Sequence, residues 1–207
     1  MDQPSSSTPD KIMARSLTRG RGSVFTPSDF LDLAERAAVD QALSRLARNG
    51  KLRRLARGLY DLPKLHSRLG PLSPDPNDVA GALARETGSQ VQIAGPGAAH
   101  LLGLTTQVPA QSNYLTNGPS RRVVLGKRVV NLRHASPKHL ILPGSAAGTV
   151  VQALRHLGPT QAGDVVRIAA RSLSATDKRR LGALVRQASA WMRPMLLTIA
   201  AVELDAR

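Results

Sequence analysis

The chain has 207 residues, 42% of them hydrophobic, a net charge of +15 and no cysteine. Its length allows one or two domains with a buried core, and the missing thiols exclude disulfides, thiolate metal sites and thiol nucleophiles. The acidic, polar start MDQPSSSTPD is no secretory signal, and the apolar stretch 195–202 is shorter than the roughly 20 residues of a bilayer span. We therefore expect a cytoplasmic protein that attracts polyanions.

The positive charge is concentrated in one segment. Residues 36–68 carry nine basic and two acidic side chains, almost half of the excess in 33 residues. A charge needed only for solubility would be spread more evenly, whereas a concentrated block makes a local field that attracts phosphate backbones.

The amino-terminal part predicts a DNA-binding domain over residues 10–63, after a disordered lead-in over residues 1–9. A short first helix is expected over 11–17. A second helix is expected over about 27–34, where Thr26 can cap, Pro27 suits the first turn and Asp29 can bond back to the cap.

A third helix is predicted from Ala37 to the Asn49-Gly50 turn. Val39, Leu43 and Leu46 recur at helical spacing and predict a packed face. The side chains on the opposite face donate hydrogen bonds and match the base edges of DNA: Gln41, Ser44, Arg45 and Arg48. An ordinary solvated face is the alternative. The short link before this helix makes the pair a helix-turn-helix.

Two short strands, 51–55 and 59–62, are predicted around Ala56-Arg57-Gly58, whose glycine suits a left-handed turn. Because Arg53 and Arg54 are adjacent, one of them must point toward the body or along an edge. Arginines at such a hairpin suit phosphate or minor-groove contacts, or else form a charged edge that prevents strand aggregation. The predicted DNA contacts comprise the outward face of the third helix, the hairpin residues Arg53, Arg54 and Arg57, and the phosphate ligands Arg36 and Lys51.

The proline-rich residues 64–76 predict a linker to a carboxy-terminal α+β domain over 77–207. This domain is expected to begin with a helix over 75–86, capped by Asp75 or Asn77, and a strand over 90–94. Gly95 and Gly97 then favour a plain turn into a helix; a phosphate site is the weaker alternative, because His100 stands where a dinucleotide fingerprint has its third glycine.

Residues 113–134 contain two sharp turns and three strand-like runs, which predict a small antiparallel meander. The meander displays a second basic cluster that faces either nucleic acid or solvent: Arg121, Arg122, Lys127, Arg128 and Arg133. Helices are predicted over 145–157 and 177–191, capped by Ser145 and Thr176, and over 194–204. The fold class is therefore α+β: a winged helix-turn-helix followed by an α+β domain with a small antiparallel sheet.

The chain offers no pattern typical of an enzyme. Most of its 14 acidic residues lie at predicted helix starts or in the termini, where capping explains them. Ser44 has no nearby base. The histidines are scattered and favour structural or surface roles: His66, His100, His134, His139 and His156. We expect no catalytic residue, metal or cofactor; a nuclease with basic substrate-binding faces is the enzymatic alternative, disfavoured by the missing acidic cluster.

Five motifs, SVFTPSDF, AVDQALSRLARNGKLRRLARGLYDLPK, LGPLSPD, GAAHLLGLTTQVPA and YLTNGPSRRVVLG, resemble the antitoxin half of AbiE-type, or type IV, bacterial toxin-antitoxin systems. The resemblance covers roughly residues 10–160. It implies an amino-terminal winged helix-turn-helix, with its DNA-contacting helix over 36–49 and its wing over 51–60, that represses its own operon by binding inverted repeats in double-stranded operator DNA.

The same resemblance implies a carboxy-terminal domain that neutralises a nucleotidyltransferase-like toxin, usually without a stable complex. The tail beyond about Gly158 is short compared with longer members of the family. The alternatives are a stand-alone winged-helix regulator and a protein-interaction module that contacts such a toxin.

Overall fold

The computed structural model describes residues 7–106 and 109–201, and there the chain mixes α-helices with small β-sheets. This confirms the predicted α+β class. The chain divides into two compact units: one has the residues up to Ser89 together with 122–130, and the other has 90–121 and the residues from 131 onward. The predicted lead-in lies outside the described residues as far as residue 6. No helix in the described ranges is both long and apolar enough to cross a bilayer.

The first unit begins with a helix, a short strand and a single 3-10 turn, followed by a second helix and a hairpin. These elements are α1 (Thr8–Arg19), β1 (Val24–Phe25), the 3-10 turn Pro27–Phe30, α2 (Arg36–Arg48), β2 (Arg53–Ala56) and β3 (Leu59–Asp61). Strand β3 lies between β1 and β2 and is antiparallel to both. The predicted helix, hairpin and turn therefore occur in the predicted order, with boundaries shifted by a few residues.

The core of the first unit forms around α2. Val39, Leu43 and Leu46 are all buried, as their spacing predicts. They belong to one cluster with the aromatic residues Phe25 and Phe30, whose ring centroids lie 5.6 Å apart. Full burial of side chains of this size contributes roughly 1.5–3 kcal/mol each, so this face of α2 is held firmly inward.

The predicted second helix, 27–34, is wrong in its length. It consists of one 3-10 turn, although the Thr26 amide donates to the Asp29 carboxylate at 2.9 Å as expected for the cap. Phe30 is fully buried, whereas Leu31 is exposed. Leu33 and Ala34 still pack against the core of the first unit, but as partly buried residues of a turn that follows the 3-10 segment.

The predicted linker 64–76 contains regular structure. Strands β4 (Leu65–His66) and β5 (Gly70–Pro71) form a small antiparallel ribbon. The ring nitrogen Nδ1 of His66 accepts hydrogen bonds from the amides of Arg68 and Leu69 at 3.2 and 3.3 Å, which stabilises the turn between the strands. Helix α3 (Pro76–Glu86) follows. It groups with the first unit, whereas the sequence predicted it at the start of the carboxy-terminal domain.

A buried carboxylate joins three elements of the first unit. Asp29, with 4% of its side chain exposed, accepts hydrogen bonds from Arg19 of α1 at 2.9 Å and from Arg85 of α3 at 3.0 Å. Burial by itself raises the pKa of Asp29, but the hydrogen bonds from Arg85, the Thr26 amide and Arg19 outweigh it and hold that pKa below its ordinary value. We call Arg19, Asp29 and Arg85 the Asp29 cluster.

The remaining regular elements in the described ranges are four strands and five α-helices. They are β6 (Val91–Ile93), α4 (Pro96–Leu101), β7 (Gln111–Thr116), β8 (Arg121–Leu125), β9 (Arg128–His134), α5 (Ala146–Leu157), α6 (Ala162–Ser172), α7 (Ala175–Leu184) and α8 (Arg193–Ala201). All belong to the second unit except residues 122–130, that is, most of β8 and the start of β9, which group with the first unit. Helices α5 to α8 share a core that includes Val150, Leu154, Leu181 and Leu196, all fully buried.

The strands do not form the predicted meander, because the sheet order is β6-β7-β9-β8. The turn after β7 is bonded to the end of β9: the His134 amide donates to Ser120 Oγ at 2.9 Å, and the Ala135 amide donates to the Thr116 carbonyl at 2.8 Å. These bonds hold β9 beside β7, so β8 lies on the outer side of β9.

Two helix predictions in this unit also need correction. Ser145 caps α5 as predicted, accepting from the Gly148 amide at 3.0 Å, but α7 is capped by Ser174 in place of Thr176. Helix α7 ends at Leu184, before two 3-10 turns, and α6 was not predicted. The Gly158-Pro159 pair indicates a loop, although the buried Val165 and Ala169 have helical spacing.

The contact between β6 and the start of α5 leaves no room for a side chain at Gly148. A β-carbon there would overlap the carbonyl oxygens of Leu142 and Ile141. The buried Gln92 fills the same region, accepting from the Gly144 amide at 2.9 Å and donating to Thr149 Oγ1 at 3.2 Å.

We expect Gly148→Ala to lower the stability of the second unit by about 1–3 kcal/mol, because backbone oxygens cannot yield as a flexible side chain can. Gly163→Ala is the matched control, since no atom lies within 4 Å of a β-carbon there. Alanine at that helical position should be neutral or stabilising by up to about 1 kcal/mol. Thermal unfolding of both variants measures the difference, and equal melting temperatures would contradict the tight contact.

We expect Asp29→Asn to destabilise the first unit by about 1–3 kcal/mol at neutral pH, because hydrogen bonds to a charged acceptor are lost. A carboxyl whose pKa is lower in the folded than in the unfolded protein stabilises the fold at pH values above its unfolded pKa. This stabilisation is lost as the pH falls through the folded pKa. The difference in unfolding free energy between wild type and Asp29→Asn should therefore be largest above about pH 4 and should disappear at lower pH.

The control for this cluster is Asp32→Asn. That substitution removes the same charge from an exposed pair with Arg15, whose atoms lie 2.6 Å apart. Solvent screens this pair, so little stability should be lost. Chemical denaturation of both variants between pH 2.5 and 7 provides the measurement; a pH-independent gap for Asp29→Asn would contradict the assignment.

Candidate nucleic-acid interface

Helix α2 presents a polar stripe opposite its buried face. Gln41, Arg45 and Arg48 are exposed, and Ser44 is half-buried between them and the core. With a rise of about 1.5 Å per residue, residues 41 to 48 extend over about 10 Å of helix. Three long donors therefore stand on one side of a single helix, as the sequence predicts.

The charges along α2 differ in their partners. Arg36 is paired with Asp40, with Nε and Oδ2 3.0 Å apart, and both side chains are about half exposed. Arg45 and Arg48 have no carboxylate partner among residues 7–106 and 109–201. Their position in the last turn is also favourable for the helix dipole, which is an explanation that needs no ligand. Arg36 is thus a weaker candidate than Arg45 or Arg48, because part of its charge is already offset.

The β2–β3 hairpin extends the basic surface beyond α2. Lys51, Arg54 and Arg57 are exposed, and Gly58 at the tip has a φ of +69°, as the predicted turn requires. The register shifts between Arg54 and Ala56, which marks a bulge in β2. A bulge bends and twists the strand, so it changes the direction in which Arg54 projects.

Arg53 is the exception in this hairpin. Its Nε donates to Asp61 Oδ1 at 3.0 Å and its Nη2 donates to Asp61 Oδ2 at 2.5 Å, and Nη2 also donates to the Leu72 carbonyl at 2.7 Å. Asp61 has only 1% of its side chain exposed. Of the two adjacent arginines, Arg53 is therefore the one that points toward the body. Its assignment to DNA is corrected: this guanidinium joins β2, β3 and the segment after the ribbon.

The second predicted basic cluster does not form one surface within one unit. Arg122, Lys127 and Arg128 are exposed and belong to the segment that groups with the first unit, whereas Arg121 and Arg133 belong to the second. Arg128 lines a depression of about 440 Å³ with carboxylates of the first unit, among them Asp75 and Asp78. Burial and the neighbouring Asp75 raise the pKa of Asp78. This depression carries both charge signs and makes a poor anion site.

A group of basic residues in the second unit was assigned no function from the sequence. His134, His139, Arg155 and His156 line one pocket, together with Arg133. One feature of the sequence indicates this basic group: no aspartate or glutamate occurs between Glu86 and Asp164. Within the described residues, no group of three or more His, Asp or Glu side chains is arranged to hold a metal ion.

We expect Arg53→Ala to destabilise the first unit by about 1–3 kcal/mol, because it leaves the buried Asp61 carboxylate without its partner. Arg54→Ala, one residue away and exposed, removes the same charge and should change stability by no more than about 0.5 kcal/mol. Urea denaturation compares the two variants. Equal midpoints would show that the Arg53 ion pair is not structural.

One family model matches residues 11–180 of the chain, and its description is "Family of unknown function (DUF6088)". No curated protein and no solved structure matches the chain. Because the family match extends over most of the sequence, the chain belongs to the DUF6088 family.

Proposed function

We propose that this protein is a transcriptional repressor that binds double-stranded operator DNA through a winged helix-turn-helix formed by α1 to β3. The support is the element order of helix, strand, short helical turn, helix and hairpin, with β3 between the other two strands. In this proposal α2 is the recognition helix and the β2–β3 hairpin is the wing.

The observation that carries the proposal is the set of basic side chains on α2 and the hairpin whose charges are not offset within the described residues. These are Arg45, Arg48, Lys51 and Arg54, all exposed and none paired with a carboxylate in those ranges. Cations that merely solubilise a surface are usually interspersed with acids, as Arg36 is with Asp40. A run of uncompensated cations beside an exposed helix attracts a polyanion.

The side chains suit two kinds of DNA contact. Arginine can donate two hydrogen bonds to a guanine edge in the major groove, and glutamine can bond an adenine edge, so Arg45, Arg48 and Gln41 are the proposed base contacts. Lys51, Arg54 and Arg57 on or beside the wing are the proposed phosphate contacts, which orient the protein without selecting sequence. Ser44 is a secondary candidate because it is half-buried.

The biological role in the proposal is that of an AbiE-type antitoxin and autorepressor. This part rests on the sequence resemblance, which includes the recognition helix and the wing, and it has a separate test. Co-expression with a neighbouring nucleotidyltransferase-like gene product should restore growth, even when the two proteins do not co-purify. A stable complex with that product and no DNA binding would instead favour a protein-interaction module.

We expect Arg45→Ala to lower affinity for the DNA upstream of its own gene by about 1–3 kcal/mol while affinity for scrambled DNA falls much less, because a base contact is lost. Arg54→Ala should weaken binding to both DNAs alike and lower the salt slope by roughly one unit, because a phosphate contact is lost. Gel-shift titrations at two salt concentrations separate these effects.

Arg171→Ala is the matched control for this experiment, because Arg171 is exposed on α6 in the second unit. It removes one positive charge outside the proposed interface and should leave the preference for the upstream DNA unchanged. Binding of both DNAs with wild-type affinity by the Arg45 and Arg54 variants would overturn the proposed interface.

A further inference from the structure

A pocket of about 440 Å³ lies within the second unit, where the ends of β7 and β9 meet α5. Leu115 and Gln152 are its buried parts, with 8% and 4% of their surfaces exposed. Five exposed basic side chains also line it: Arg133, His134, His139, Arg155 and His156. We call this the cationic pocket.

No carboxylate lines the cationic pocket. The chain around it offers none nearby in sequence either, since the whole stretch from residue 87 to 163 lacks aspartate and glutamate. Arg133 and Arg155 are positive at every physiological pH. No carboxylate of the pocket lining therefore offsets their charges.

Arg155 is held in place by neutral partners only. Its Nη1 donates to the His139 carbonyl at 3.0 Å and its Nη2 to the Lys138 carbonyl at 2.9 Å. Partial burial lowers the pKa of Arg155, although its side chain still reaches solvent, and no carboxylate of the pocket lining opposes that effect. A guanidinium that is held in place without a counter-ion gains when a strong anion arrives.

Hydrogen bonds from α5 and from the β7–β8 turn fix the wall of the pocket before any ligand binds. Gln152 Nε2 donates to the His139 carbonyl at 2.8 Å, beside the bonds from Arg155. His134 Nδ1 lies 3.0 Å from the Gly118 carbonyl, so that nitrogen carries the proton and donates it. The Nε2 atom of His134 is then an acceptor in the neutral ring and suits a donor on the organic part of a ligand. A fixed wall lowers the entropic cost of binding.

We propose that the cationic pocket binds a phosphate monoester carried by a molecule of nucleotide size. A phosphate carries close to two negative charges and three acceptor oxygens, which match two guanidinium groups and the N–H donors of His139 and His156. The volume falls in the range of small-molecule sites, and Ala94, Leu115 and Ala135 supply apolar surface for the organic part. This site lies in the second unit and does not depend on the proposed DNA interface.

The experiment is calorimetric titration of the full chain with adenosine 5′-monophosphate, inorganic phosphate and adenosine. We expect the monophosphate to bind more tightly than inorganic phosphate and adenosine not to bind. Arg133→Gln should weaken binding of both phosphate compounds by about five- to tenfold, which corresponds to about 1–1.4 kcal/mol. Arg133 is exposed, so its replacement leaves the fold intact.

Two control variants remove the same charge elsewhere. Arg171→Gln on α6 and Arg48→Gln on α2 should each bind the monophosphate within twofold of wild type. A loss as large as that of Arg133→Gln in both controls would show that binding is diffuse electrostatic attraction. Such a loss in Arg48→Gln but not in Arg171→Gln would assign the phosphate to the DNA interface. Either result would overturn the proposal.

The source of the phosphate is distinguished by a further pair of probes. A 5′-phosphorylated trinucleotide and its 5′-hydroxyl form differ only in the terminal group. Binding of the phosphorylated form alone, sensitive to Arg133→Gln, supports the pocket and identifies a nucleic-acid end as ligand. Preference for the mononucleotide supports a free nucleotide. Failure of every phosphate probe to bind at millimolar concentration, or equal binding of adenosine, would overturn the proposal.

Discussion

Burial of one face of α2 is the interaction on which the candidate interface depends. Val39, Leu43 and Leu46 pack with Phe25 and Phe30, and a helix of 3.6 residues per turn must then present its opposite face to solvent. Gln41, Arg45 and Arg48 lie on that face. The apolar contact thus determines the direction of the polar stripe.

The distribution of acids decides which arginines remain available. The first unit places Asp29 against Arg19 and Arg85 and places Asp61 against Arg53, all inside its own structure. Arg45, Arg48 and Arg54 are therefore left without a carboxylate partner within the described residues, whereas Arg36 of α2 is paired with Asp40. The second unit also has cations without a nearby carboxylate, but for another reason: residues 87–163 contain no aspartate or glutamate. Each unit thus offers uncompensated cations, one set on a convex helix and the other in a concave pocket.

Local patterns predicted the elements well where one interaction dominated. The spacing of α2, the glycine of the hairpin tip, the Thr26–Asp29 capping bond and the Ser145 cap are all short-range effects, and all are confirmed. The predictions were wrong where the structure depends on contacts between residues that are distant in the sequence. The order of the strands depends on bonds from the Gly118 turn to His134. Helix α6 is stabilised by its buried residues, although the Gly-Pro pair before it indicates a loop in the sequence.

The sequence by itself determined the α+β class, the amphipathic helix with its outward arginines, and the concentration of charge, because these follow from periodicity and composition. Only the tertiary structure decided that Arg53 serves the fold while Arg54 faces solvent, since the two are identical in type and adjacent in the chain. It also brought His134, His139 and Arg155 to one pocket. Residues of different elements meet only when the core has set their positions, and no local spacing encodes that meeting.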